Sequence, residues 1–338
     1  MMLVLGIETS CDDTAAAILD SEAAVLANVV SSQDLIHQRF GGIVPELASR
    51  RHMESITPIV NESLTHAGLT LADLDLVAVT RGPGLIGSLL VGFSYAKSLS
   101  YTLGIPFVGV DHMAGHLLSV FLEPRTPSFP YIALIVSGGT TSLFKVEDHL
   151  SFALLGTTRD DAAGEAFDKI ARYLQLGYPG GPVVSSQADE GDGSAINLPR
   201  AWLEEGSLDF SFSGLKTAAI NHCHRLIQGD KMTDQQLKDT CASFQQAVIE
   251  VLVEKTITAA RAHAISSVIL GGGVSANSSL RQQMAERCRS EGFELYLPAL
   301  QNCTDNGAMI AFAGLQMFLA GERGAYEDDV YSRSPLGR

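Results

Sequence analysis

An α/β fold in two lobes is what this sequence predicts, on three observations. Apolar strand-like runs alternate with helical stretches, one strand–turn–strand element occurs twice, and a chain of 338 residues is longer than one hydrophobic core usually serves. The repeated element is MLVLGIETSCDDTAAAILD (2–20) and YIALIVSGGTTSLFKVED (131–148). Each is an apolar run, a turn of small polar residues and a second apolar run ending in acid, which predicts one β-hairpin per lobe. Residues 32–67, with ELASRRHMESITPIVNESLTHA, read as helix inserted in the first lobe. LDLVAVT (74–80) reads as a strand, followed by a helix from about Ser88 and the strand PFVGV (106–110). Between Phe167 and Lys255 the pattern is helical, broken by Gly- and Pro-rich turns such as YPGGP (178–182), and predicts helices decorating the second lobe. The strand SSVILGG (266–272), a helix from about Asn277 and the strand FELYLP (293–298) complete the alternation. The tail from Gly321 is polar and is expected to fray at its end.

Composition narrows the class. The chain is 46% apolar and 18% charged with one Trp, so its core is aliphatic. The start MMLVLGIETSCDD lacks the basic residues and long apolar core of a signal peptide, and no run of about 18 uncharged apolar residues follows, so a cytoplasmic protein without a membrane partner is expected. Five scattered cysteines (Cys11, Cys223, Cys241, Cys288, Cys303), never spaced C-x-x-C, argue against a disulfide framework or zinc finger and predict buried thiols. A formal net charge of −15 works against indiscriminate binding to nucleic acid or anionic membranes. A nucleic-acid substrate would need a local basic patch or a partner.

Several motifs could carry chemistry. GPGLIG (82–87) matches G-x-G-x-x-G between a strand and a helix, with Asp111 ending a later strand. Pro83, however, removes a backbone donor from the proposed phosphate cradle, and the motif reads as a tight strand-to-helix turn. Three other Gly-rich turns suit a nucleotide together: GIETSCDD (6–13), VSGGTT (136–141) and GGGVSAN (271–277). Each ends a strand with small residues whose N–H groups can approach phosphate or ribose. As two hairpin turns plus a GGG loop entering a helix, they resemble the phosphate and adenosine elements of the actin, Hsp70 and sugar-kinase superfamily. Within VGVDHMAGHLLSV (108–120), His112 and His116 lie four apart, on one face of a helix. They read either as two metal ligands or as hydrogen-bonded residues of a packed helix, and Met113 stands where H-E-x-x-H peptidases carry their glutamate base. Asp305 in NCTDNGAMIA (302–311) could supply a third ligand; by itself it reads as a helix N-cap followed by Asn306. His222 and His224 are two apart, cannot share a helical face and read as surface.

Ten motifs in order, GIETSCDDT (6–14), GGIVPELASRRH (41–52), GPGLIGSLLVG (82–92), DHMAGH (111–116), VSGGTT (136–141), DDAAGEAFDK (160–169), YPGGP (178–182), DFSFSGLKT (209–217), GGGVSAN (271–277) and CTDNGAMIA (303–311), resemble the tRNA adenosine threonylcarbamoyltransferases of the bacterial, single-chain type. These were once labelled O-sialoglycoprotein endopeptidases. The resemblance implies an actin-like, Hsp70-type ATPase fold of two RNase H-like lobes with helical insertions, with a nucleotide in the cleft. The lobes are expected over 1–112, completed by about 310–338, and over 113–309 with a helical insertion at about 160–255. It implies transfer of a threonylcarbamoyl group from threonylcarbamoyl-AMP to N6 of the adenosine beside the anticodon, in tRNAs reading codons that begin with A. It also implies one Fe2+ per subunit, or zinc or another divalent metal, held by His112, His116 and Asp305. The substrate contacts it implies are Ile135, Val136, Ser137, Gly138, Gly139, Asp168, Gly181 and Asn277. A paralogous actin-like partner subunit and a small P-loop ATPase are the implied partners besides tRNA.

The donor's mixed anhydride is already activated, so such an enzyme mainly orients it, polarises its carbonyl and stabilises charge leaving toward AMP. Asp12 is the candidate acid near the attacking amine, and reads equally as a carboxylate capping its own turn. The sequence departs from the family at Thr140, where His or Asn is usual, and at Asp13, where many relatives have Glu. Both changes bear on substrate affinity or rate. Arg50, Arg51, Lys169, Arg172 and Lys216 either hold tRNA phosphates or form solvated faces. The competing readings are a metallopeptidase, disfavoured by Met113, an inactive paralogous scaffold subunit, which would be expected to have lost ligands, and a sugar or acetate kinase, which needs no histidine pair.

Overall fold

A computed structural model describes residues 2–227 and 232–336. Its first elements are β1 (Leu3–Glu8), β2 (Asp13–Asp20), β3 (Val25–Ser32), α1 (Asp34–His37), α2 (Pro45–Ala67), β4 (Leu76–Gly82), α3 (Ile86–Leu103), β5 (Phe107–Asp111) and α4 (His112–Leu118). There follow β6 (Tyr131–Val136), β7 (Thr141–Val146), β8 (Phe152–Thr157), α5 (Ala163–Tyr173), α6 (Gly180–Ala188), α7 (Ser213–Ile227) and α8 (Asp234–Ala262). The chain continues through β9 (Ser267–Gly271), α9 (Ser278–Glu291), β10 (Glu294–Tyr296), α10 (Leu300–Cys303) and α11 (Gly307–Leu319).

The strands form two five-stranded sheets, ordered β3-β2-β1-β4-β5 and β10-β9-β6-β7-β8. Numbered within its own set, each sheet has the same order, 3-2-1-4-5, so the duplication seen in the two hairpins extends to whole sheets. In the first, β1 pairs antiparallel with β2 and parallel with β4. In the second, β6 and β9 are parallel neighbours. β3 and β8 were not foreseen from the sequence: each adds an outer strand to a hairpin, and both are partly exposed.

The first sheet is buried on both faces, which explains its near-continuous apolar strands. Leu5 and Ile7 of β1 pack with Ile56 and Val60 of α2 and Phe93 of α3. Val4, one residue out of phase, packs with Met309, Ala311 and Leu315 of α11, as the two-residue alternation of a strand requires. In the second, Ile132, Leu134 and Val136 of β6 share one core with α5, α8 and α9.

The expected helix over 32–67 is interrupted. Gly41 and Gly42 adopt φ of 67° and 153°, and Pro45 opens α2 at its first turn, where a missing N–H costs nothing. GPGLIG is the tight turn expected of it. Leu85 N–H bonds to the Ser10 carbonyl at 2.8 Å, and a Cβ on Gly84 would lie 2.4 Å from that oxygen, so Gly84 lets the turn rest on the first hairpin. Cys223, Cys241, Cys288 and Cys303 are buried thiols outside any disulfide, and Cys11 is half-buried.

The chain divides into two compact units, Met1–Phe129 with Val146–Phe152 and Pro298–Arg338, and Pro130–Lys145 with Ala153–Leu297. These boundaries differ from the expected lobes of 1–112 with 310–338 and 113–309. His116 and Asp305, expected in the second lobe, belong to the first unit, because α4 packs on β5 and α11 there. The described part of the polar tail is anchored to the first unit. Gly324 N–H bonds to the Phe107 carbonyl, Tyr331 N–H to that of Arg81, and the Tyr331 and Ser334 hydroxyls donate to Asp111. The last two residues, where fraying was expected, lie outside the described residues.

Candidate functional site

In the first unit, β5 ends at Asp111, whose carboxylate accepts the Met113 N–H at 2.8 Å and caps α4. His112 therefore opens the helix and His116 follows one turn later, their rings 4.7 Å apart and nearly perpendicular. Asp305 arrives just before α11. It does not cap that helix: Asn306 does, accepting the Met309 N–H at 3.0 Å, and so leaves the Asp305 carboxylate free to turn to the histidines. One oxygen of Asp305 lies 3.1 Å from His116 Nε2 and 3.5 Å from His112 Nε2. One donor atom from each residue falls within 4.8 Å of the others.

Two nitrogens can converge on one carboxylate oxygen by each donating an N–H to it, or around a positive charge, a proton or a metal ion. The electrostatics favour a positive charge strongly. Burial opposes charge on His112, but the carboxylates of Asp305 and Glu8 outweigh it and lift its pKa to about 9. Burial likewise raises Asp305, yet the two imidazoles prevail and hold it near 2. Two imidazoles and a carboxylate are a donor set that suits Fe2+ or Zn2+ with open coordination positions, so the residues fit the expected metal.

Glu8 is the residue beside the histidines that the sequence reading missed. It ends β1 almost wholly buried and approaches His112 Nδ1 at 2.9 Å. Its only signal was an acid closing an otherwise apolar strand. Glu8 also accepts the Ser10 N–H, so the turn is capped by Glu8; no bond from the turn's backbone reaches Asp12 among the described residues. Asp12 is held above the usual carboxylate range, by burial first and then by Asp305. The thiol of Cys11 is pushed up by burial and by Asp12.

In the second unit residues 135–139 and the glycine loop before Asn277 lie at the C-terminal ends of the parallel strands β6 and β9, where open α/β sheets receive ligands. Ile135 and Val136 are fully buried, backbone included, whereas Gly138 and Gly139 are exposed. Ser137 N–H bonds to the Thr140 carbonyl at 2.8 Å and closes the turn. The glycine loop lies against it: Gly272 has φ of 81°, and a Cβ there would sit 2.5 Å from the Val136 carbonyl oxygen. Asp168 accepts the Gly180 N–H at 2.7 Å and ties α5 to the start of α6, leaving Gly181 in open space. Asn277 is heavily engaged within the protein. Its oxygen caps α9 through Leu280 N–H, and its amide donates to Gln245 Oε1 at 2.7 Å and to Ser185 Oγ at 3.4 Å.

The basic candidates are largely paired: Arg50 with Glu46, Arg51 with Glu54, and Lys169 and Lys216 both with Asp161. The first two pairs are exposed and weak, so phosphates can compete for them. His222 is half-buried and His224 exposed against Tyr173, as expected of surface positions.

Comparison with known proteins agrees with this geometry. Residues 24–312 match the family described as tRNA N6-adenosine threonylcarbamoyltransferase. A protein of that name from Desulfotalea psychrophila is 56% identical over 337 residues, 99% of this chain and 98% of its own length. Another from Moorella thermoacetica is 52% identical over 316 residues, 94% of this chain and 92% of its own. The solved structure of HypF from T. kodakarensis matches 94% of this chain and 48% of its own with a TM-score of 0.61 at 15% identity. Component A of the Acidaminococcus fermentans (R)-2-hydroxyglutaryl-CoA dehydratase matches 94% and 98% with a TM-score of 0.52 at 17% identity. At such identities these two speak for the fold, which is actin-like. The chain belongs to the tRNA N6-adenosine threonylcarbamoyltransferase family.

Proposed function

We propose that this protein transfers a threonylcarbamoyl group to N6 of adenosine 37, beside the anticodon, in tRNAs reading codons that begin with A, with threonylcarbamoyl-AMP as donor. The observation that carries the reading is the convergence of His112 and His116 on Asp305 in a chain of this family. These three residues would hold a divalent metal, Fe2+ in this proposal, which would supply Lewis-acid chemistry at the donor. Gly138 and Gly139 of the VSGG turn offer their exposed backbone N–H groups to the donor, and Gly181 leaves room beside α6. Asp168 fixes that helix start, and Asn277 holds the entrance of α9. Asp12 takes the proton released by the attacking N6 amine, a role its raised pKa suits. The reaction makes a C–N bond to N6 and breaks the carbamoyl–phosphate anhydride, with AMP leaving.

A paralogous actin-like subunit and a small P-loop ATPase are the proposed partners, and the cytoplasm the proposed compartment. Among the described residues no helix is long and apolar enough to cross a membrane. The peptidase reading is not favoured, since Met113 stands where a glutamate would activate water.

The test supplies metal-loaded protein, threonylcarbamoyl-AMP generated in place from threonine, bicarbonate and ATP, the partner subunits and unmodified tRNA, and assays the tRNA nucleosides. Wild type should yield threonylcarbamoyladenosine and His112→Ala should yield at least tenfold less. No product from wild type overturns the assignment; an undiminished His112→Ala overturns the metal's part in it.

A further inference from the structure

Glu8 is a buried carboxylate that faces no Lys or Arg side chain among the described residues. It ends β1 at 1% exposure, and such a group persists only if its lone pairs are met by donors. Thr80 Oγ1 donates to Oε2 at 2.6 Å, the Ser10 N–H donates to Oε1, and His112 Nδ1 lies 2.9 Å from Oε2. An ionised carboxylate only accepts, so the hydrogen between Glu8 and His112 resides on Nδ1. In the neutral imidazole that binds a metal, the other nitrogen, Nε2, presents its lone pair on the side of the ring where Asp305 stands at 3.5 Å. His116 has no comparable support: its Nδ1 is buried without a hydrogen-bond partner among the described residues. The two histidines are therefore unequal, and only His112 has a carboxylate behind it, on the nitrogen that faces away from Asp305.

We propose that Glu8 is the positioning residue of the metal centre, fixing the tautomer and ring orientation of His112 and linking the centre to the first hairpin turn. The link is direct, because Ser10, which donates its N–H to Glu8, also places its hydroxyl 3.2 Å from His112 Nδ1. Occupancy of the centre thereby steadies the turn that carries Asp12. This inference rests on the metal reading of His112, His116 and Asp305, and goes beyond it to a residue that binds no metal itself. Carboxylates behind metal-bound histidines typically govern metal affinity by about 10- to 100-fold.

The experiment titrates metal-free full-length protein with Co2+ and follows the visible absorption of the bound ion, with His116→Ala and Glu8→Gln in parallel. Glu8→Gln keeps the shape and an accepting oxygen but removes the charge. It should bind Co2+ about 10- to 100-fold more weakly and shift the absorption bands, with thermal unfolding of the metal-free form close to wild type. Wild-type affinity and spectrum in Glu8→Gln overturn the proposal. Should that variant not fold, Glu8→Asp, which withdraws the charge by one methylene, is read in the same way. A wild-type protein that takes up no Co2+, or a His116→Ala protein that binds as tightly as wild type, overturns the metal centre itself and Glu8's part with it.

Discussion

His52 donates its Nε2–H to the main-chain carbonyl of Cys11 across 3.0 Å, fastening the first hairpin turn to helix α2. Its Nδ1 accepts the Thr14 hydroxyl at 2.8 Å, so both ring nitrogens are used by the neutral form. Burial pulls its pKa below the usual 6.5. The unfolded chain therefore binds the proton first, and His52 weakens the fold as pH falls below about 6.5. His52→Phe should lose both bonds and leave the Cys11 carbonyl and Thr14 hydroxyl unpaired, costing about 1–3 kcal/mol at pH 8. Urea unfolding at pH 8 and pH 5.5 checks this: the difference between variant and wild type should shrink at the lower pH. An equal difference at both values would remove the neutral clamp.

Asp13 runs the opposite way. Burial, then the carboxylates of Asp305 and Asp12, raise it to about 7. Between about 4, the unfolded value, and 7 the folded chain holds more protons than the unfolded one. The stability it contributes is complete below pH 4 and is lost as pH rises to 7. In metal-free protein, Asp13→Asn should unfold at a higher temperature than wild type at pH 7 and at nearly the same temperature at pH 4. Scanning calorimetry at the two pH values is the measurement, and an equal shift at both refutes the assignment.

The same turn shows what a sequence can and cannot reveal. The hairpins of residues 2–20 and 131–148 were legible because uninterrupted apolar runs flank short polar turns. β3 and β8 were not, because these outer strands are partly exposed and carry no clean alternation. The histidine pair was legible from its spacing. Its meeting with Asp305 is a tertiary fact 189 residues away along the chain, and local pattern made that aspartate a helix cap, a position Asn306 takes instead. Glu8 and His52 escaped notice for one reason: each acts through a partner on another element, 104 and 41 residues away, and nothing local marks such a role.

The C-terminal tail is expected to support the helix that carries the histidines. Tyr331 and Ser334 donate to the same Asp111 oxygen at 2.8 and 2.7 Å, and that residue caps α4 through its other oxygen. Tyr331→Phe should cost less than the about 1.5–3 kcal/mol of a bond to a charged group, because Ser334 still donates to the same oxygen. Because the two hydroxyls share one acceptor, the Tyr331→Phe/Ser334→Ala double variant should lose more than the sum of the singles, since either alone still satisfies it. Denaturant unfolding of the four proteins closes the cycle. Strict additivity would mean that the two hydroxyls act independently of each other.

Helix α11 meets the first sheet through glycine on both sides, and this approach sets where Asp305 stands. A Cβ on Gly6 of β1 would lie 2.1 Å from the Gly307 carbonyl oxygen and 2.6 Å from Ala311 N, while one on Gly307 would lie 2.5 Å from Ala17 N. Backbone cannot yield as a flexible side chain does, so Gly6→Ala must lift the start of α11 from the sheet. The cost should reach or exceed the about 1–3 kcal/mol of ordinary overpacking. Asp305 lies two residues before α11, so the same shift draws its carboxylate away from His112 and His116. Gly6→Ala should therefore melt lower than wild type and, where folded, bind Co2+ more weakly. Gly181→Ala, with nothing within 4 Å of the added carbon, should leave melting and Co2+ affinity unchanged. If Gly6→Ala melts lower yet binds Co2+ as wild type does, the seating of α11 does not govern the position of Asp305.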